Sequence, residues 1–440
     1  MGARTATRDS GGSRVVGDEG IRGLVGTGAQ ARYTVISADC HGGGPIDAYR
    51  EYLPSALHDD FDRWRAEFEN PYDDLEGDDA ARNWDSDRRL AELEADGIAG
   101  EVIFPNTIPP FFPQASLVLQ PPPADAGDLA RRWAGLQAHN RWLADFCSAT
   151  PGRRAGIAQI MLHDPEAAAA EIRWAAEAGL TGGVLLPGAP PGSGLPPLYA
   201  PDYEPIWAAC AETGLPLNHH TGSASPDYGD YPEAKVMFLV EATWYAHRQL
   251  WQLIYAGVLE RHPDLRLVLT EQGTDWLPQQ LATLDHFYDR MSGTGGTADG
   301  SQESEWGAEL MAKLSLRPSE YWQRQCYVGS SFIRRSEVQI RDAVGTGHIM
   351  WGSDFPHKEG CWPYSHEHYR LAFAGVPPAE VQQMIGATAA DVYGFDLDAL
   401  APVAARIGPT VEAVDRPLPV DEIPREGMRC PAFALAAMGF

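Results

Sequence analysis

Short apolar segments rich in Val, Ile and Leu alternate with longer amphipathic segments along most of this chain. Such alternation is typical of βαβ units, in which helices join the strands of a parallel sheet. The intervening segments include the helical patterns at 128–147 and 165–179, the second of which ends at a glycine that can cap it. The sequence contains eight predicted strands, at residues 33–39, 100–104, 155–162, 182–187, 215–220, 265–271, 326–332 and 348–354.

The number of predicted strands separates two α/β architectures. Eight alternations of strand and helix fit a closed (β/α)8 barrel better than an open, doubly wound sheet. No GxGxxG motif follows the first predicted strand, so a nucleotide-binding open sheet has little support. We therefore predict a barrel of the α/β class with insertions after strands 1, 2 and 6, at residues 45–90, 107–125 and 293–305.

The two ends of the chain differ in composition from the barrel segment. Residues 1–30 are small, polar and charged, and they predict a disordered lead-in. Residues 31–395 form the predicted barrel. Residues 396–440 are irregular and proline-rich, which indicates an extension packed on the barrel or on a partner subunit rather than a second domain.

The balance of charges restricts the partners of the protein. The chain has 61 acidic residues against 34 Lys and Arg, a formal net charge of -27. Nucleic acids and anionic membranes bind clustered cations, so neither is an expected partner. A small-molecule substrate is the better expectation.

Neither a secretory signal nor a membrane segment is evident. The N-terminus lacks the apolar segment of a signal peptide, and the apolar runs are too short to cross a bilayer. The six cysteines are scattered without a CxxC pair, which predicts reduced, buried thiols. We expect a soluble, cytoplasmic protein.

Residue types that bind metals occur at the ends of four predicted strands. The first strand ends in Asp39 and His41, whose i, i+2 spacing points both side chains to one side of an extended segment. The later strands end in His220, Glu271 and Asp354. Each residue alone could be an ordinary strand end or turn cap. Because barrel active sites are built at the carboxyl ends of strands, their joint placement predicts a functional site.

Four motifs carry a family resemblance: SADCH, LPLNHHTG, RHPDLRLVLTEQGTDWLP and WGSDFPH. Their order and spacing, between about residues 33 and 395, resemble the amidohydrolase-related family that includes aminocarboxymuconate semialdehyde decarboxylase and the resorcylate-type decarboxylases. The resemblance implies a distorted (β/α)8 TIM barrel with a mononuclear Zn or Mn site. Several members of the family are dimers, so a homodimer is also expected.

The resemblance assigns roles to individual residues. It implies metal ligands at four positions, and Glu271 stands where the family usually has histidine. We expect Asp354 and Glu271 to be the catalytic residues. Asp39 resembles the members that carry a carboxylate at the first ligand position. His219 and His357 are candidates for substrate binding. The implied ligands of the metal are Asp39, His41, His220 and Asp354.

One metal ion is expected rather than two. Binuclear relatives commonly bridge their ions with a modified lysine at the end of the fourth strand, and the segment 182–188 contains no lysine. Two imidazoles with two carboxylates are compatible with Zn, Mn or Fe(II).

Three functions remain open on the sequence alone. The first is non-oxidative decarboxylation of a small carboxylate-bearing or aromatic molecule, with a proton delivered to carbon by Asp354 or Glu271. The second is hydrolysis of an amide, ester or lactone, in which Asp354 takes a proton from metal-bound water. The third is a barrel that binds a metal or small ligand without turnover, because Glu271 replaces the usual histidine. The closeness of the resemblance favours decarboxylation.

Overall fold

Eight parallel strands form the centre of the molecule in the computed structural model, which describes residues 21–70, 75–113, 123, 125–292 and 302–439. Their order in the sheet follows their order in the chain. A short antiparallel pair, β1 (Leu24–Val25) and β2 (Arg32–Tyr33), precedes them. The strands of the large sheet are β3 (Ile36–Gly42), β4 (Gly100–Pro105), β5 (Arg154–Gln159), β6 (Gly183–Leu185), β7 (Leu217–His220), β8 (Leu267–Thr270), β9 (Cys326–Ser331) and β10 (Ile349–Gly352).

The sheet closes into a barrel at the contact between its first and last strands. The amide of Asp354, just beyond β10, donates to the carbonyl of Asp39 in β3 at 2.8 Å. The amide of His41 donates to the carbonyl of Phe355 at 2.6 Å. The predicted (β/α)8 barrel is therefore confirmed. Its first and last strands meet where Asp39 and His41 of β3 lie beside Asp354, just beyond β10.

Helices surround the barrel on its outer face, and many begin at a side-chain cap. Asp125 accepts from the amide of Asp128 at the start of α3, and Asp164 accepts from the amide of Ala167 at the start of α4. The helices of the barrel region are α1 (His58–Glu67), α2 (Ser86–Ala95), α3 (Ala126–Ser148), α4 (Pro165–Glu177), α5 (Glu204–Thr213), α6 (Ala234–Tyr255), α7 (Val258–Arg261), α8 (Leu277–Ser292), α9 (Gln302–Met311), α10 (Pro318–Gln325), α11 (Arg335–Gln339), α12 (Arg341–Val344), α13 (Ser365–Phe373), α14 (Pro378–Gln382) and α15 (Thr388–Tyr393).

The interior of the barrel is apolar at the end opposite the site. Alternate strand residues point inward, as a period of two requires, and they pack against the segment that includes α15. Tyr393 of α15 donates to the side-chain oxygen of Asn218 inside the barrel at 2.9 Å. The inward residues in this cluster include Ile36, Ala38, Val102, Ala155, Ile157, Leu185, Val268 and Met350. The chain segment after β10 thus closes the barrel floor and leaves polar residues at the other end.

The C-terminal segment packs on the barrel of its own chain. Its helices are α16 (Leu397–Ile407), α17 (Val411–Val414) and α18 (Pro431–Ala437). The amide of Val411 donates to Ala31, and the amide of Tyr33 donates to Pro409, at 2.9 and 3.0 Å. The last segment is therefore attached to the residues that precede the first barrel strand.

Some predicted regions fall partly outside the described residues. Of the predicted lead-in 1–30, residues 1–20 lie outside them, as do most of 107–125 and 293–301. Of the insertion after the first barrel strand, 71–74 also lie outside. A search of the described helices finds none with the length and apolar composition that spanning a membrane demands.

Candidate metal centre

Strand ends bring the predicted ligands together at one end of the barrel. Asp39 and His41 lie in β3 with their side chains on one side, and both are fully buried. His220 is the last residue of β7, and Asp354 follows β10 by two residues. Because β7 and β3 are not adjacent in the sheet, only closure of the barrel brings these residues together.

The side-chain atoms of these residues converge. The Nε2 atom of His41 lies 3.1 Å from Oδ1 of Asp354 and 3.3 Å from Oδ1 of Asp39. The Nε2 atom of His220 lies 3.6 Å from the same Asp39 oxygen. Asp39, His41 and His220 form one group whose ligand atoms all lie within 4.8 Å of one another, and His41, Asp354 and His357 form a second. His41 belongs to both groups, so the four predicted ligands form one cluster.

The hydrogen-bonding state of the cluster fits a divalent cation. Among the described residues, Oδ1 of Asp39, both ring nitrogens of His41, Nε2 of His220 and both carboxylate oxygens of Asp354 are buried without a hydrogen-bond partner. Each such atom costs about 1–3 kcal/mol unless it is paired. Imidazole nitrogens and carboxylate oxygens are ligands of Zn, Mn and Fe(II). A cation would satisfy these atoms together.

A backbone carbonyl and a side-chain hydroxyl hold two of the ligands in place. Nδ1 of His220 lies 3.1 Å from the carbonyl of Thr221, which suits the tautomer that leaves Nε2 free to bind a metal. The hydroxyl of Ser331 donates to Oδ2 of Asp39, the oxygen directed away from the imidazoles. The geometry therefore fixes which atom of His220 and of Asp39 faces the centre of the cluster.

Neighbouring imidazoles keep the buried carboxylates of Asp39 and Asp354 ionised. Burial acts to raise the pKa of Asp39, but the adjacent His220 and His41 hold it well below its ordinary value. Burial likewise opposes ionisation of Asp354, whose pKa is nevertheless lowered by His357 and His41. Two ionised carboxylates beside imidazoles favour a bound cation.

The pKa of Glu271 is raised, whereas the pKa values of Asp39 and Asp354 are lowered. Burial raises its pKa to about 8, with Asp354 and Asp39 adding to the effect and His220 opposing it. Its Oε2 atom lies 3.6 Å from Nδ1 of His220, and its side chain keeps 22% exposure. A carboxyl group that holds a proton near neutral pH and faces a cavity has the properties of a general acid.

The backbone at the mouth of the barrel is strained at three non-glycine residues. Glu271, Phe332 and Asp354 have positive φ angles of 55°, 44° and 59°, and each follows one of the strands β8, β9 and β10. Left-handed conformations of such residues cost about 1–3 kcal/mol and concentrate at functional sites. The chain turns sharply here, beside the cluster.

The two candidates for substrate binding occupy different places. His357 contacts the cluster: its Nδ1 lies 3.0 Å from Oδ1 of Asp354, and its ring stacks on His41 at 4.0 Å. His219 lies outside both ligand groups that the described residues form, and its Nδ1 contacts the carbonyl of Leu186 at 2.9 Å. The geometry therefore brings only His357 to the site.

Several residues near the cluster were missed by the sequence analysis. Ser331 is one, and its position at the end of the seventh predicted strand is a signal that could have identified it. Arg89 is another: its Nη1 donates to the carbonyl of His41 at 2.7 Å, while Glu101 accepts from its Nε and Nη2. Arg89 lies in helix α2, where nothing in the local sequence indicates contact with a strand residue.

A cavity of about 240 Å³ adjoins the cluster. Glu271 and Ser331 line it, and so does the flat pair of Trp276 and His247, whose rings stack 3.7 Å apart. Leu435 of α18 also lines the cavity. Acidic, hydroxyl, aromatic and aliphatic groups therefore share one small space beside the candidate ligands.

Comparison with known proteins finds a family and several relatives. The family model described as amidohydrolase matches residues 46–395. Gamma-resorcylate decarboxylase of Rhodococcus jostii (strain RHA1) is 31% identical over 246 residues, 52% of this chain and 66% of the relative. Gamma-resorcylate decarboxylase of Rhizobium sp. (strain MTP-10005) is 27% identical over 211 residues, 46% of this chain. The match spans 59% of that relative's length.

Solved structures share the fold. The 5-carboxyvanillate decarboxylase of Novosphingobium aromaticivorans, a mutant solved with bound manganese, aligns with a TM-score of 0.59 at 21% identity. The alignment covers 82% of this chain and 97% of that one. At this identity the likeness concerns the barrel architecture.

Proposed function

Because the chain belongs to the amidohydrolase family, we propose that it is a metal-dependent enzyme that removes carbon dioxide from a small aromatic carboxylate without a redox cofactor. The observation that carries the proposal is a buried cluster of imidazole and carboxylate atoms that have no hydrogen-bond partner in the described part of the chain. The cluster lies beside Glu271 and an aromatic-lined cavity. The decarboxylases among the relatives and solved structures support the same reaction class.

The proposed ligands of one divalent ion, Zn or Mn with Fe(II) also compatible, are Asp39, His41, His220 and Asp354. When bound, the ion supplies positive charge for the carboxylate and an adjacent oxygen of the substrate. Manganese is supported by its presence in the Novosphingobium decarboxylase structure. Ser331 orients Asp39 by its hydrogen bond to Oδ2.

Proton transfer in this proposal belongs to Glu271. Its carboxyl group holds a proton because burial raises its pKa, and it faces the cavity next to the cluster. Glu271 delivers that proton to the ring carbon that loses the carboxylate, and the bond between that carbon and the carboxyl carbon breaks. Asp354 remains ionised and holds His357, whose ring stacks on His41. His357 is therefore the proposed contact for the end of the substrate that carries the carboxylate.

Release of carbon dioxide tests this function directly. Protein loaded with Mn or Zn is incubated with hydroxybenzoates that carry a carboxylate beside a phenolic oxygen, and bicarbonate and the phenol are measured. We expect both products in equal amounts. Cleavage of aryl esters, amides or lactones without decarboxylation would establish hydrolysis instead, and metal uptake with neither activity would establish a binding protein.

A cytoplasmic location and the division of the chain are also proposed. All six cysteines are buried and free, which suits a reducing compartment. We assign 31–395 to the barrel and 396–440 to an extension packed on it, with 1–30 as a lead-in. A small molecule remains the proposed partner of the site.

A homodimer is proposed from the exposed face of α6. Large apolar residues recur along its first half at helical spacing: Val236, Val240 and Trp244 are 55%, 70% and 56% exposed. Exposed apolar patches of this kind mark interfaces. Two copies of this face in antiparallel, two-fold contact would cover these side chains.

Substitution on this face tests the dimer. We expect Val240→Glu to convert a dimer to a monomer at micromolar concentration, because each interface would bury two unpaired carboxylates near its axis. Light scattering during size-exclusion chromatography measures the mass. Val420→Glu, at a 63% exposed valine in the C-terminal segment, serves as control. A wild-type monomer, or a dimer unchanged by Val240→Glu, contradicts this interface.

A further inference from the structure

We infer that helix α18 forms a wall of the substrate cavity and that Leu435 determines which ring substituents the site accepts. The family match ends at residue 395, so this wall comes from a segment outside the matched region. The inference rests on the proposed function, because it assigns the cavity to an aromatic acid. Leu435, the proposed determinant of selectivity, lies in the C-terminal extension, residues 396–440.

Helix α18 is held in position by the buried residues on the face that does not line the cavity. Ala432 and Phe433 are buried, and Cys430, just before the helix, is fully buried. The ring of Phe433 lies 5.9 Å from the ring of His368 in α13, edge to face. With these residues packed against the barrel, Pro431 and Leu435 are the α18 residues that line the cavity. An anchored wall can discriminate between ligands by size, because it cannot move aside without losing this packing.

The size of the cavity suits one substituted ring. An apolar cavity of roughly 150 Å³ holds benzene in another protein. The cavity here is about 240 Å³, which leaves room for a benzoate with few substituents. The same cavity is lined by Glu271, beside the ligand cluster, and by Leu435. A substrate whose carboxylate lies at the cluster therefore has its ring within reach of the leucine side chain.

Apolar contact of this kind discriminates by size to a known extent. One methylene group more or less in an apolar pocket changes selectivity by about 10- to 200-fold. Leu435→Ala enlarges the cavity, and Leu435→Phe reduces it. Met438→Ala is the control, because Met438 directly follows α18, is 68% exposed and is not among the residues that line the cavity.

The experiment measures binding as well as turnover. Metal-loaded wild type and the three variants are titrated by calorimetry with benzoate, 3-methoxybenzoate, 4-methoxybenzoate and 2-naphthoate, and carbon dioxide release is measured separately with hydroxybenzoates. We expect Leu435→Phe to weaken the larger ligands at least about tenfold relative to benzoate, Leu435→Ala to favour them, and Met438→Ala to match wild type. Circular dichroism verifies the fold of each variant.

The outcomes separate the inference from the proposed function. A size-dependent change in affinity without carbon dioxide release from any substrate supports the wall and overturns the reaction. Decarboxylation with the same relative affinities in both Leu435 variants supports the reaction and overturns the wall. Failure of wild type to bind any of the aromatic acids overturns both.

Discussion

Replacing Asp354 by alanine is expected to remove the bound metal and to lower decarboxylation by at least about 10³-fold, equivalent to some 4 kcal/mol in the barrier. The reason is that its two buried oxygens lack hydrogen-bond partners among the described residues and lie against His41 and His357. Metal content is measured by mass spectrometry of the purified protein, and turnover by carbon dioxide release. A second readout is thermal: added Mn should raise the melting temperature of wild type but not of the variant.

The matched control for this substitution is Asp96→Asn. Asp96 is also a buried carboxyl group, but it accepts from the amide of Ser365 and lies outside both ligand groups. We expect this variant to keep its metal. If Asp354→Ala retains stoichiometric metal and full activity, the ligand assignment fails.

Replacing Glu271 by glutamine is expected to lower kcat by about 10²- to 10⁴-fold while leaving the metal content unchanged. Glutamine keeps the shape of the side chain but has no acidic proton to deliver, and Glu271 belongs to neither ligand group. Rates are measured under saturating substrate, so that an effect on kcat is separated from one on KM. A loss of metal in this variant would instead identify Glu271 as a ligand.

Two further variants test whether kcat depends on a proton donor at position 271. Glu271→His restores a proton donor of the type that the family usually has at this position, so it should exceed Glu271→Gln in turnover. Asp275→Asn changes a carboxylate of the same cavity that pairs with Arg334 at 2.9 Å and belongs to neither ligand group formed by the described residues. We expect its kcat to remain within about threefold of wild type. Equal rates in Glu271→Gln and wild type would exclude Glu271 as the acid.

Most of the strands were predictable because they contain a short run of apolar residues, which is typical of a buried parallel sheet. All eight predicted strands are present, but their bounds differ. The first was predicted at 33–39 and is Ile36–Gly42, so Asp39 and His41 lie within it rather than at its end. The difference arises because Tyr33 pairs with Leu24 and bonds to Pro409, a contact that the local sequence does not encode.

Within the site, the sequence identified residues whose placement follows from strand period and barrel closure. His220 faces the cluster and His219 does not, because neighbouring residues of a strand point to opposite sides. The contact of Ser331 with Asp39 and that of Arg89 with His41 depend on packing between distant segments. The same holds for Leu435, whose place at the cavity depends on the path of the last segment. Contacts between distant segments leave no periodic pattern in the sequence, so they could not be predicted from it.

The attachment of the last segment to the residues before the first barrel strand has a consequence for synthesis. Ala31 and Tyr33 are made early, whereas their hydrogen-bond partners Val411 and Pro409 are made after the entire barrel. A growing chain can form its central strands in order, but the segment that bonds to Ala31 and Tyr33 is made only after all the barrel strands. The cavity wall at Leu435 follows later still. A chain released before residue 409 is made therefore has all four proposed metal ligands. It lacks the hydrogen bonds to Ala31 and Tyr33, and it lacks the cavity wall that contains Leu435.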